Sequence, residues 1–106
     1  MLKREYPVVD PLRTGQNIKR IMKARGLSVK DVQRFLGFEA PQGIYHWFDG
    51  RSMPTLDNLY ALSELFCVPI DTIVKGNRLF LYTPFPVERF NALSLYYEKL
   101  YGLKAG

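Results

Sequence analysis

The sequence predicts an all-α unit of five helices over residues 14–76, preceded by an extended arm over 1–13 and followed by a strand-plus-helix extension over 77–106. Three observations carry that expectation. Apolar residues recur at spacings of three and four through most of the first 76 positions, which places them on single helical faces. Residues that start helices (Ser28, Pro41, Thr55) and residues that end them (Gly26, Gly37, Gly76) fall at the borders of those periodic stretches. The segments between those borders are short, so the unit is compact.

Residues 1–13 contain Pro7 and Pro11 around the alternating stretch Tyr6 to Val9, which reads as an extended arm with edge-strand character. A first helix is expected from Thr14 to Arg25, with Ile18, Ile21 and Met22 inward and Lys19, Arg20 and Lys23 outward. Ser28 can cap a second helix, and Asp31 can reach back to the Ser28 amide in a variant capping box. Val29, Val32, Phe35 and Leu36 form its apolar stripe, Gly37 ends it, and Phe38 is placed for the contact that accompanies such a cap. Pro41 suits the first position of a third helix, whose stripe is Ile44, Trp47 and Phe48. Its opposite face carries Gln42, Tyr45, His46 and Asp49. Thr55 caps a fourth helix bearing Leu56, Leu59, Leu62, Leu65 and Phe66, and a short fifth helix is expected from Ile70 to Lys75, closed by Gly76. The second and third helices, joined by a tight turn, have the form of a helix-turn-helix.

A chain of 106 residues is one domain with a modest core, and its apolar fraction of 47% argues against disorder. No apolar run is long enough to cross a bilayer, no signal-peptide pattern opens the sequence, and the single Cys67 has no partner for an internal disulfide. A reducing cytoplasm is the expected compartment, with Cys67 a small buried side chain near a helix end. The net charge of +5 is unevenly placed. Residues 1–12 hold two basic and two acidic side chains, and residues 52–106 hold five of each. The whole excess therefore lies between Arg13 and Arg51, with eight basic against three acidic residues. Such a concentration is the footprint of a polyanion-binding surface.

The stretches TGQNIKRIMKARGLS (14–28), LGF (36–38), PQGIYHW (41–47) and DGRSMPTLDNLYALSELFCVPIDTIV (49–74) resemble the repressor and Cro type of helix-turn-helix regulator, the XRE family. The resemblance covers about residues 14–76 and is sharpest in the Pro-Gln start of the third helix and the following Gly50, Ser52 and Pro54. It implies a five-helix, repressor-like DNA-binding fold whose third helix (about 41–48) enters the major groove of a palindromic operator, as a symmetric dimer. One departure is that Gln33 stands where a small residue is usual while Gly43 is unusually small, so the two are expected to compensate.

Residue chemistry supports the same site. The Gln42 amide can donate and accept at once, which suits adenine, and Tyr45 and His46 follow on the exposed face as further base contacts. Lys30, Arg51 and Ser52 are the leading phosphate contacts, with Arg13, Asn17 and Lys19 weaker ones of the same kind. Trp47 belongs to the core by its spacing from Ile44. No metal site is expected for the lone histidine, no cofactor is implied, and neither paired carboxylates nor a phosphate loop suggests an enzyme. In the extension, Leu79 to Thr83 alternates like a strand and Val87 to Tyr101 like an amphipathic helix with Phe90, Leu93, Tyr97, Leu100 and Tyr101 on its apolar side. Dimerisation through these residues is favoured over packing on the fourth and fifth helices, and a small sheet of Tyr6–Val9 with Leu79–Tyr82 is one form it can take. The alternative function is a protein-interaction module, such as an antitoxin, that uses the aromatic tail to hold a protein partner.

Overall fold

A computed structural model describes residues 6–78, and these form five helices: α1 (Pro11–Arg25), α2 (Val29–Leu36), α3 (Gln42–Phe48), α4 (Leu56–Phe66) and α5 (Ile70–Ile73). The proposed strand at Leu79 to Thr83 and the residues Phe90, Leu93, Tyr97, Leu100 and Tyr101 lie outside the described part.

Helix α1 begins three residues before the expected Thr14. The Asp10 carboxylate accepts from the Arg13 amide at 3.0 Å, and Pro11 occupies the first turn, where a missing N–H costs nothing. The second proline therefore starts the helix instead of extending the arm. At α2 the capping box forms as expected: the Ser28 hydroxyl accepts from the Asp31 amide at 3.1 Å, and the Asp31 carboxylate accepts from the Ser28 amide at 2.9 Å. That bond holds the Asp31 carboxyl below the ordinary carboxylate range. A folded-state pKa below the unfolded one contributes stability that is present above the unfolded pKa and lost as pH falls through the folded one. We expect Asp31→Asn to lower the melting temperature at neutral pH and to flatten its fall in acid. Parallel acid limbs in the two proteins would show that the Asp31 carboxylate contributes nothing to the box.

Gly37 ends α2 with φ of 75°, a left-handed conformation that glycine adopts without strain, and its neighbour Phe38 donates its amide to the Gln33 carbonyl at 3.0 Å. The expected compensation between Gln33 and Gly43 is not what the structure shows. The Gln33 side chain turns to the helix end and donates to the Phe38 carbonyl at 3.3 Å. A Cβ built on Gly43 would meet only the Phe38 ring, at 4.0 Å, an ordinary van der Waals contact. Gly43→Ala should therefore stabilise the domain by about 0.5–1 kcal/mol through helix propensity, read as a rise of a few degrees in a thermal melt. A fall in melting temperature would mean that the first turn of α3 is more crowded than this geometry allows.

The core is built from Ile18, Ile21 and Met22 of α1, Val32 of α2, Ile44, Trp47 and Phe48 of α3, Leu59, Leu62 and Phe66 of α4, and Ile73 of α5. Three residues expected in it are outside. Phe35 is 48% exposed, while Val32 is buried and Val29 and Leu36 pack partly buried against the core; Leu56 is 72% exposed at the very first position of α4. Cys67 is exposed because it lies past the end of α4, with φ of 60°, as the left-handed cap.

Helix α5 stops at Ile73, two residues before the expected Lys75, and the chain runs out extended to meet the arm. Val9 and Gly76 form an antiparallel bridge, the Asp10 amide donates to the Lys75 carbonyl at 2.8 Å, and the Asn77 amide donates to the Val8 carbonyl at 3.2 Å. Thr14 completes the junction from inside. Its buried hydroxyl accepts from the Lys75 amide at 2.9 Å and donates to the Lys75 carbonyl at 3.2 Å. Gly76 thus serves the arm and does not cap α5: a Cβ there would fall 2.3 Å from the Val8 carbonyl oxygen.

Candidate nucleic-acid interface

Helix α3 is held by one face and free on the other. Its inward side chains Ile44, Trp47 and Phe48 are buried, and the α1 backbone approaches so closely at Gly15 that a Cβ would lie 1.6 Å from the Trp47 carbonyl oxygen. The Gln16 amide donates to the Phe48 carbonyl at 3.3 Å, and the edge of the Phe38 ring meets Trp47 with centroids 5.9 Å apart. The free face is therefore carried on a packed scaffold.

On the free face Gln42, Tyr45 and Asp49 are exposed, and His46 is half-buried. Gln42 and Tyr45, three residues apart, share one side of the helix. The Tyr45 ring rests edge-on against Phe48 at 5.9 Å, and the Lys19 ammonium lies 5.5 Å from the centre of the same Phe48 ring, which ties this lysine of α1 to the C-terminal end of α3. Past the helix, the Arg51 guanidinium pairs with Asp49 at 3.3 Å, and its backbone amide donates to the His46 carbonyl at 3.0 Å. Ser52 is exposed in the same loop, and Lys30 is exposed near the start of α2.

Two predicted phosphate contacts are placed differently. Asn17 is buried and its amide nitrogen donates to the carbonyls of Thr72 at 2.7 Å and Ile73 at 2.9 Å, while its oxygen accepts from Arg20 at 2.6 Å. That side chain is spent on tying α1 to α5 and has nothing left to offer a phosphate. Arg13 donates to the Gly76 carbonyl at 3.2 Å, on the arm side of the molecule. Lys19, Lys30, Arg51 and Ser52 are exposed, as is Arg13, which differs from them in its bond to the strand-like segment after α5. Sequence reasoning passed over Gly15, Gln16 and Arg34. Gln16 was within reach of it, since 16 and 19 share a helical side.

Among the described residues no three histidine, cysteine, aspartate or glutamate side chains converge as a metal site, and no helix is long and apolar enough to cross a membrane. The arrangement offers, on the exposed face of α3, an amide that both donates and accepts, with the cations Lys19 of α1, Lys30 of α2 and Arg51 of the following loop exposed on neighbouring elements.

The class defined by this fold and surface is a helix-turn-helix domain. The family model described as Helix-turn-helix matches residues 18–73, more than half of the chain, and the protein belongs to that family, in its XRE-type branch. The chain is similar in fold to a transcriptional regulator from Listeria innocua, with a TM-score of 0.54 at 19% identity over 83% of this chain and 94% of that one. No curated protein matches it.

Proposed function

We propose that this protein is a sequence-specific DNA-binding transcriptional regulator, and that it acts as a repressor by laying α3 in the major groove of a palindromic operator as a homodimer. The observation that carries the reading is the pairing of Gln42 and Tyr45 on the free face of a helix whose other face is locked into the core. Family membership and the basic excess between Arg13 and Arg51 support the same reading. Gln42 stands in the first turn of α3, and its amide matches the adjacent acceptor and donor of adenine. Lys19, Lys30, Arg51 and Ser52 then serve to fix register on phosphates. Dimerisation through the C-terminal extension would supply the second recognition helix.

The test is selection of duplexes from a randomised pool by the purified chain at fixed, near-physiological salt. An enriched inverted repeat with half-sites about 34 Å apart is expected. On that site Gln42→Ala should weaken binding by about 1–3 kcal/mol and relax preference at one base pair of each half-site. Salt-sensitive retention without enrichment would remove sequence specificity from the reading. One observation favours a protein-interaction module as the second reading: Leu56 and Tyr60, one turn apart on α4, are 72% and 75% exposed.

A further inference from the structure

Arg34 of α2 has no part in the surface so far described, and it lines an open groove of about 310 Å³ together with Lys30, Gln33 and Phe38. That volume is at the lower limit for pockets that enclose small molecules, and both cations are exposed, so the groove suits a charged group passing over it more than an enclosed ligand. Lys30 and Arg34 are four residues apart on one helix face, where two like charges disfavour the helix. Neither has an ion-pair partner among the described residues. The acid between them, Asp31, accepts from the Ser28 amide at the helix start and attracts Arg34 through space without pairing with it. Gln33 gives one N–H to the Phe38 carbonyl and keeps a second donor.

Its position relative to α3 is fixed by Phe38. The ring of Phe38 lies along one side of α3, 4.0 Å from where a Cβ of Gly43 would stand and with its centroid 5.9 Å from that of Trp47 one turn further on. The two cations therefore lie across Phe38 from the turn that begins with Gln42. We infer that this groove binds a backbone phosphate of the DNA strand, next to the base pair that Gln42 meets, with Lys30 and Arg34 as its two charged donors. Arg34 then adds affinity at that phosphate whatever base lies beside it and reads no sequence itself.

The inference rests on the DNA-binding reading, and the test separates the two. Affinity for the selected operator is measured against salt for the unaltered chain, for the Lys30→Gln, Arg34→Gln double variant, and for Arg25→Gln, an exposed charge at the end of α1 outside the groove. The double variant should lower the slope of log affinity against log salt by about 1 and leave the ranking of operator variants unchanged, while Arg25→Gln keeps the slope. Replacing single phosphates beside the Gln42 base pair by neutral methylphosphonates should weaken the unaltered chain at one linkage and leave the double variant indifferent there. An unchanged slope in the double variant, an equal drop in Arg25→Gln, or an altered operator ranking would each overturn the phosphate site alone. If the unaltered chain retains no duplex at all, the DNA-binding reading falls and takes the site with it.

Discussion

Gly15→Ala is expected to destabilise the domain by on the order of 3 kcal/mol or more, against the gain of up to about 1 kcal/mol that helix propensity alone assigns to it. The reason is the crossing of α1 and α3. A Cβ at residue 15 would stand 1.6 Å from the Trp47 carbonyl oxygen, 2.5 Å from its carbon and 3.2 Å from the Phe48 Cα. All three are backbone atoms, so no rotamer change relieves the clash and α3 has to move as a body. A loss of that size lowers the melting temperature by roughly 12–24 °C in a domain of this length. Moving α3 also releases the Gln16 bond to Phe48 and the Lys19 contact with its ring, so operator binding should fall with stability. A thermal midpoint within about 2 °C of the unaltered protein, a shift worth under 0.5 kcal/mol, would mean that the two helices are not in such contact in solution.

Asn17→Ala should cost about 2–3 kcal/mol, because it leaves the carbonyls of Thr72 and Ile73 inside the protein without their donor. The effect belongs to the fold and not to DNA. Denaturant titration should show the loss in full, whereas affinity for operator, corrected for the folded fraction, stays within about twofold of the unaltered chain. A phosphate contact would show the reverse, with a lower salt slope at nearly unchanged stability. The two measurements together decide which partner that amide has.

The difference between those two residues and the rest shows what a sequence makes legible here. Helix borders at Ser28, Gly37 and Thr55 rest on bonds within four or five residues, so the chain announces them locally. The exposed face of α3 was legible for the same reason, since Ile44, Trp47 and Phe48 fix which side turns inward. Asn17 was misplaced although periodicity held the answer: 14, 17, 18 and 21 lie on one face, and all four are buried. Its polar type outweighed its position. Gly15 could not be interpreted at all, because what it accommodates is a carbonyl more than thirty residues away. The start of α1 was lost to an ambiguity of proline, which breaks a helix from within but suits its first turn, and only the Asp10 carboxylate resolves which applies.

The junction between the arm and the strand-like exit from α5 has a consequence for how the protein is made. The Val8 amide donates to the Asn77 side chain at 2.6 Å across a separation of 69 residues, and the Asn77 side chain donates to the Tyr6 carbonyl at 3.1 Å. Translation delivers the arm first and its partner only after all five helices have been synthesised. Through that interval the helices can assemble by contacts much closer in sequence, while closing the junction waits for the longest loop in the domain. The arm is therefore the first part of the described chain to leave the ribosome and the last to find its place.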